Sequence, residues 1–240
     1  MARLDCDDFF WKAHSNHFYV SRPYFHGKMN LMIYATLDEE IMLWERGFKL
    51  VCGVDEVGRG CFAGPVVTAA VMFPPHIILP FKVADSKLLN AKQREELVDK
   101  IKQLALCFAI TETPVELINK VGIGRATQIS FFNSVKALIK TPDFILIDAF
   151  FINAIDRTIQ NAISGGDRLC ASIAAASIIA KVYRDKLMES LDPDFPEYGF
   201  KSHKGYGTKQ HQAAIGKYGL TSLHRKSFNL TKFLPKMLNV

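Results

Sequence analysis

The 240-residue sequence has no apolar run of the roughly 20 residues needed to cross a bilayer, so we expect no membrane partner. Its N-terminus also lacks the basic-then-apolar order of a secretion signal, because Asp5, Asp7 and Asp8 interrupt it. The five cysteines are scattered and odd in number, and none forms a Cys-x-x-Cys pair. This usage argues against a disulfide framework or a zinc site and predicts reduced thiols in a cytoplasmic protein.

Composition points to a soluble globular protein, with 49% hydrophobic and 22% charged residues. The length is sufficient for one large domain or two small ones, and we find no internal repeat or low-complexity linker. The net charge of +6 and the pI of about 9.0 favour a polyanionic partner without establishing one.

The chain is organised around residues 53–65, Gly-Val-Asp-Glu-Val-Gly-Arg-Gly-Cys-Phe-Ala-Gly-Pro. An apolar run ends at Val54 and is followed directly by Asp55 and Glu56. Neighbouring strand residues point to opposite faces, so either one acid is solvated, or both bind a cation at an irregular strand end. The glycines at 58 and 60 allow backbone N–H groups to approach an anion, which suggests a metal next to a phosphate.

Strands and helices alternate along the rest of the chain, which predicts an α/β domain around a mixed sheet. Proline and glycine bound most of these segments, and Asn90 is a candidate helix cap. The predicted helices cover 37–47, 91–106, 125–139 and 171–191, with shorter ones after Pro114 and from Thr208; the predicted strands cover 48–54, 65–73, 107–111 and 144–147.

Two further acids follow apolar or glycine-rich segments. Asp148 ends the run Phe-Ile-Leu-Ile, and it either caps the following turn or joins Asp55 in a crevice beyond the strand ends. Asp167 follows Gly165 and Gly166, directly before the long helix. Asp185 lies four residues after Lys181, which predicts an ion pair on one helical face.

Residues 53–65 resemble the opening active-site motif of the type 2 ribonucleases H, the ribonuclease HII family. Leu-Ile-Asp-Ala around Asp148, the run from Ser172 to Asp185, and Gly-Tyr-Gly-Thr-Lys-x-His in the C-terminal region resemble later motifs in the same order. The resemblance covers about residues 37–230 and implies a ribonuclease H-like mixed β-sheet flanked by helices, with a small helical C-terminal region at about 190–230. Residues 1–36 form an N-terminal extension to which we assign no function, and residues 231–240 form a tail.

The resemblance implies a metal-dependent endonuclease that cuts the RNA strand of RNA–DNA hybrids and nicks duplex DNA 5′ of single ribonucleotides. Asp55, Glu56, Asp148 and Asp167 would be both the catalytic residues and the ligands of the metal. Oxygen-only ligands favour Mn²⁺ or Mg²⁺, and two such ions would lead to a 5′-phosphate and a 3′-hydroxyl. Two carboxylates about 4 Å apart repel by roughly 4 kcal/mol, so an empty cluster would be strained or partly protonated.

The resemblance also implies the residues that contact the substrate. The backbone of Gly58, Arg59 and Gly60 would sense the ribose 2′-hydroxyl, and Tyr206 would lie against the neighbouring sugar. Lys87 is either a phosphate contact or a solvated loop residue. Many relatives carry lysine where this chain has Gly165, a change that we expect to lower substrate affinity without removing the metals.

Two alternatives compete with this interpretation. A type 3 ribonuclease H is disfavoured, because that type usually carries lysine in place of Arg59 and adds an N-terminal substrate-binding domain for which there is little room. A hybrid-binding protein without catalysis is disfavoured because all four acids are present. We expect a monomer that binds RNA–DNA hybrids and ribonucleotide-containing duplex DNA.

Overall fold

A computed structural model describes residues 34–84 and 89–234, all of which belong to one compact unit, residues 32–240. The N-terminal extension up to residue 33, the predicted phosphate contact Lys87 and the last six residues lie outside these described residues.

Seven strands and seven α-helices are described, joined by short 3₁₀ turns. The strands are β1 Tyr34–Ala35, β2 Val51–Val57, β3 Val66–Met72, β4 Val83–Ala84, β5 Cys107–Thr113, β6 Phe144–Asp148 and β7 Gln160–Ile163. The helices are α1 Asp38–Glu45, α2 Ala91–Leu104, α3 Val115–Val121, α4 Ile123–Lys136, α5 Ala171–Ser190, α6 Phe200–His203 and α7 Lys209–Tyr218. The 3₁₀ turns are Arg157–Ile159, Gly166–Arg168, Asp192–Asp194 and Thr231–Phe233.

Five strands form a mixed sheet in the order β5-β3-β2-β6-β7. The half made of β5, β3 and β2 is antiparallel, whereas β2, β6 and β7 run parallel to one another. Strands β1 and β4 form a separate two-stranded pair. The predicted α/β class with a mixed sheet is therefore confirmed, and β2 occupies its centre.

The two faces of the sheet bury different helices. On one face, the small residues of α5 pack against β2 and β3, and a Cβ on Gly53 would lie 2.2 Å from the backbone carbon of Ser172. On the other face, Val54 packs with Phe131 and Val135 of α4. Alternation along β2 therefore directs Asp55 towards α5 and Glu56 towards α4.

Most of the predicted helices and strands are present, with ends shifted by a few residues. Asn90 caps α2 in a complete capping box, with reciprocal 2.9 Å bonds to Gln93. Thr208 caps α7 through His211. The strand that was predicted to end at Val54 continues to Val57, so of the two alternatives for Asp55 and Glu56 the irregular strand end is wrong. Pairing with β3 keeps both residues in regular strand geometry.

The N-terminus of α5 is capped by a residue from a distant part of the chain. Glu40 of α1 is 1% exposed, and its Oε1 accepts hydrogen bonds from the Ser172 N–H at 2.8 Å and the Ser172 hydroxyl at 2.5 Å. A carboxylate at this position complements the helix dipole. The contact fixes the start of α5, directly after Asp167, against α1.

The C-terminal residues form a small core of their own around Met188, Tyr198, Phe200 and Ile215, with Ala63 from the loop after β2. Within residues 34–84 and 89–234, no helix is long and apolar enough to cross a membrane.

Candidate active site

Asp55 lies within β2 as a buried carboxylate, with only 6% of the residue exposed. Its Oδ1 accepts a 2.7 Å hydrogen bond from the Glu56 N–H, and the Ser177 hydroxyl of α5 forms a further hydrogen bond with the carboxylate. Burial raises the pKa of Asp55 well above its ordinary value, and the nearby charges of Glu56 and Asp148 raise it further. Asp55 is therefore a site where negative charge is costly without a cation.

Asp148 is placed beside Asp55 by strand register. Strands β2 and β6 are parallel and pair Gly53 with Leu146 and Val54 with Ile147, so the next residue on each strand is an aspartate. Adjacent strands lie about 4.8 Å apart, which brings the two carboxylates together on one face. The Gly166 N–H donates a 2.8 Å hydrogen bond to Asp148 Oδ1 and fixes its orientation.

Asp167 joins this end of the sheet from the 3₁₀ turn that precedes α5. It is 5% exposed and follows Gly166, the residue that binds Asp148. The Arg168 Nε lies 4.0 Å from Asp167 Oδ1, and the Arg168 side chain is largely exposed. Tertiary structure therefore brings Asp55, Asp148 and Asp167 to one region.

Gly165, where many relatives carry lysine, adopts a left-handed conformation with φ of +69°. A Cβ built at this position would lie 2.5 Å from Nη2 of Arg168, so the arginine occupies the space that a side chain at 165 would enter. A basic group is thus present beside Asp167 even though residue 165 has no side chain.

Glu56 differs from the other three acids because strand alternation places it on the α4 face. It is partly exposed, and its charge is close enough to raise the pKa of Asp55. Among the described residues, no three or more His, Cys, Asp or Glu side chains are already spaced as a metal-binding group. The four predicted acids are therefore neighbours at one end of the sheet rather than a preformed cage.

The loop after β2 carries the glycine-rich motif. Gly58 has φ of +92°, a conformation that favours glycine, and its carbonyl accepts a 3.2 Å hydrogen bond from the Cys61 N–H. Gly60 is exposed, with no heavy atom within 4 Å of its Cβ position. The Arg59 guanidinium stacks over the Phe150 ring at 4.6 Å from its centroid. The loop therefore presents backbone, while the Arg59 side chain lies over the segment after Asp148.

Tyr206 reaches the same loop from the C-terminal region. The residue is 40% exposed, and its hydroxyl is hydrogen-bonded to the buried Cys61 thiol. Two cations approach the ring: Lys181 Nζ lies 5.8 Å and the Arg184 guanidinium carbon 5.9 Å from its centroid. The predicted pair between Lys181 and Asp185 is confirmed, with a distance of 2.7 Å between Nζ and Oδ1.

Three buried histidines support the Tyr206 loop, and sequence patterns did not single them out for this role. His211 Nδ1–H donates to the Tyr206 carbonyl at 2.9 Å, and His203 stacks on His211 with ring centroids 4.5 Å apart. The His224 Nδ1 accepts from the Thr221 N–H at 2.9 Å, so His224 Nε2–H donates to His211 Nε2 at 3.0 Å. Burial lowers the pKa of His211 and of His224 to about 4, which keeps the network neutral.

Two buried arginines are also functional candidates that sequence reasoning missed. Arg184 and Arg225 are both fully buried beneath the glycine-rich loop. The only sequence signal was that Arg184 lies in the run from Ser172 to Asp185 that resembles the family. Local sequence did not predict their burial, because charged residues are rarely buried completely.

The arrangement fits a hard divalent cation next to a phosphodiester. The acids offer only oxygen donors, and the raised pKa of Asp55 reflects negative charges gathered in a poorly solvated place. An exposed glycine loop and a half-exposed tyrosine lie on the adjoining surface. These features are suited to holding a nucleic-acid backbone across a cation site.

Comparison with known proteins identifies close relatives. A sequence profile of the family described as Ribonuclease HII matches residues 52–231. A Ribonuclease HII of Herpetosiphon aurantiacus is 44% identical over 196 residues, which are 80% of this chain and 94% of the relative. Among solved structures, the ribonuclease H2 of Pyrococcus horikoshii has a TM-score of 0.64 at 24% identity, covering 76% of this chain and 95% of that one. Bst ribonuclease HIII in complex with Mn²⁺ has a TM-score of 0.57 at 23% identity, covering 77% and 68%. The structural likenesses support the shared fold.

Proposed function

This chain belongs to the ribonuclease HII family and is a ribonuclease H, and from that premise we propose that it is a divalent-metal-dependent enzyme that nicks duplex DNA 5′ of single ribonucleotides. The observation that carries the proposal is the parallel register that sets Asp55 beside Asp148 next to the Gly58–Gly60 loop. Asp55 lies in β2 and the Gly58–Gly60 loop directly follows β2, so the acid pair lies next to the proposed ribose-sensing backbone.

We assign the metal to Asp55, Glu56, Asp148 and Asp167, with Mn²⁺ or Mg²⁺ as the ion. The carboxylate oxygens of these residues are hard ligands, and Mn²⁺ is present in the structure of the related Bst enzyme. Two bound ions would activate water and stabilise the leaving oxygen, giving a 5′-phosphate and a 3′-hydroxyl. The residues themselves contribute orientation: the Gly166 N–H fixes Asp148, and Ser177 and the Glu56 N–H fix Asp55.

Substrate recognition follows from the adjoining loop. The exposed backbone at Gly60 suits close contact with a ribose 2′-hydroxyl, the group that distinguishes RNA from DNA. The half-exposed ring of Tyr206 suits contact with the neighbouring sugar. Arg168 supplies a cation beside Asp167 and is suited to a phosphate, while the lower substrate affinity expected from Gly165 stays a prediction.

The test is cleavage of a duplex that carries one ribonucleotide, assayed with Mn²⁺ or Mg²⁺ and compared with an all-DNA duplex of the same sequence. We expect a single cut on the 5′ side of the ribonucleotide and no cut in the control. Cleavage only within a longer ribose run would support type 3 specificity instead. Binding without any cutting, under both metals, would contradict the catalytic assignment of the four acids.

A further inference from the structure

Among the residues that the structure describes, Arg184 of α5 and Arg225 of the C-terminal segment are the two largest fully buried side chains. Removing a charged guanidinium from water costs several kcal/mol unless its N–H groups are paired. Within the described residues, neither forms an ion pair with a carboxylate. Backbone carbonyl groups are their hydrogen-bond partners instead, and most of these lie in the glycine-rich loop.

Arg225 holds the loop at two points. Its Nε and Nη2 donate to the Gly64 carbonyl at 3.0 and 2.8 Å, and its Nη1 donates to the Arg59 carbonyl at 2.8 Å. In a trans peptide the C=O of one residue and the N–H of the next point in opposite directions. The bond from Arg225 to the Arg59 carbonyl therefore turns the Gly60 N–H away from the interior, towards the surface where Gly60 is exposed.

Arg184 joins the loop to the segment that carries Tyr206. Its Nε and Nη2 donate to the carbonyls of Pro65 and Ala63 at 3.0 and 3.1 Å, whereas its Nη1 donates to the Lys204 carbonyl at 2.8 Å. One planar group thus binds both the glycine-rich loop and the segment that carries Tyr206, which are the two walls of the proposed substrate site. The ammonium group of lysine does not reproduce this geometry.

Position 58 requires glycine for two reasons, its positive φ and the close approach of Arg184. A Cβ at Gly58 would lie 2.1 Å from Arg184 Nε, so only glycine leaves room for the guanidinium. Backbone bonds tie the same walls together: the Phe62 N–H donates to the Gly205 carbonyl at 2.8 Å, and the Arg225 N–H donates to the Phe62 carbonyl at 2.8 Å. Arg184 and Gly58 therefore pack directly against each other.

We propose that Arg184 and Arg225 are positioning residues for ribonucleotide recognition: Arg225 aims the Gly60 N–H at the substrate, and Arg184 fixes the distance between that loop and Tyr206. The inference rests on the proposed substrate role of Gly58–Gly60 and Tyr206. The two arginines touch no substrate themselves. Their guanidinium forks hold the recognition backbone in one arrangement before substrate arrives, so that little ordering is needed on binding.

The experiment measures binding of a one-ribonucleotide duplex and of the matched all-DNA duplex, in an Asp148→Asn background that prevents cutting. The discrimination ratio is the quotient of the two dissociation constants. Arg225→Lys and Arg184→Lys keep the charge and remove the fork, and Arg46→Lys at the exposed end of α1 is the matched control. We expect the ratio to fall about tenfold in each buried variant and to stay unchanged in the control, since small misplacements in a site are costly. Melting curves confirm that each protein is folded.

A second measurement separates positioning from general weakening. The double variant Arg184→Lys with Tyr206→Ala should have the same discrimination ratio as Tyr206→Ala alone. Arg184 acts by fixing the position of Tyr206, so its replacement has no further effect once the ring is removed. Adding Tyr206→Ala to Arg225→Lys should lower the ratio beyond either single change. If one lysine variant does not fold, the other decides the question.

The outcomes separate the inference from the function on which it rests. If the Asp148→Asn parent binds both duplexes equally, the recognition role of the loop is wrong and the inference falls with it. If the parent discriminates and folded Arg184→Lys and Arg225→Lys discriminate as well as it does, the positioning role alone is wrong. Fully additive effects of Arg184→Lys and Tyr206→Ala would also overturn the coupling between the two walls.

Discussion

The two halves of the candidate site are stabilised in opposite ways. Asp55 within β2 and Asp148 at the end of β6 place like charges on neighbouring strands, and burial raises the pKa of Asp55. In the loop and C-terminal half, Arg184, Arg225 and His211 are buried with their ring or guanidinium nitrogens in hydrogen bonds to neighbouring groups. The acidic half gains from a bound cation, whereas the basic half is already complete.

This difference separates chemistry from recognition. A carboxylate cluster that repels itself binds divalent ions because the ions remove the repulsion. A recognition surface needs the opposite property, since fixed donors and a fixed ring select a substrate without reordering. Changes in the acidic half should therefore affect turnover and metal response, and changes in the other half should affect substrate choice.

The largest expected effect is the loss of turnover in Asp148→Asn. The amide oxygen still accepts the Gly166 N–H, so the local structure is kept while the charge is removed. We expect cleavage to fall by about 1,000-fold or more, with binding of the ribonucleotide duplex still measurable. Single-turnover cleavage and a binding titration check this. Asp99→Asn, on the exposed face of α2, is the matched control, and normal cutting by Asp148→Asn would remove that residue from the site.

The next effect is on stability with and without metal. Because the folded-state pKa of Asp55 is raised, the metal-free protein should lose stability as pH rises above the unfolded value of the carboxyl group and through the folded pKa. Saturating Mn²⁺ or Mg²⁺ at 100 times the dissociation constant should add about 2.7 kcal/mol to the free energy of unfolding. Thermal melts of the metal-free protein over a series of pH values measure the first effect, and melts at neutral pH with and without metal measure the second. An Asp55→Asn variant that still gained this stability would contradict the ligand role of Asp55.

Tyr206→Ala tests the recognition half. Loss of a sugar-facing ring should lower cleavage at a single ribonucleotide about tenfold, while the melting temperature changes little because the ring is 40% exposed. Tyr218→Ala on α7 removes a ring of 48% exposure outside the site and serves as the control. Equal losses of folding and cutting in Tyr206→Ala would argue for a structural role only.

The last expected effect is on stability alone: the histidine network should make the free energy of unfolding depend on pH. His211 and His224 have folded pKa values lowered to about 4, so the unfolded chain binds protons that the folded chain excludes. The free energy of unfolding should therefore fall as pH decreases from about 6.5 to about 4. Urea unfolding measures the slope. Replacing exposed His76 with Gln should leave the slope unchanged, whereas replacing buried His224 with Gln should reduce it; an equal slope in the His224→Gln variant would contradict the lowered pKa of His224.

Sequence patterns predicted much of the acidic half. Apolar runs that stop at Asp55 and Asp148 indicated strands, and Asp167 was placed before the predicted long helix. Where β2 ends was predicted wrongly, because pairing with β3 extends the strand through Glu56 and no local signal records that partner. Strand β7 was not predicted, since the short run Gln160–Ile163 becomes a strand only by pairing with β6.

By itself, the sequence determined the α/β alternation, the capped helix starts and the identity of the residues that offer oxygen to a metal, because periodicity and side-chain chemistry are local properties. Only tertiary structure decided that Asp55 and Asp148 share a face, that Glu56 lies on the other, and that Arg184 and Arg225 are buried. Strand register and burial depend on segments far apart in the chain. An arginine is ordinarily solvated, and its burial here becomes apparent only when the carbonyls that receive its hydrogen bonds are folded around it.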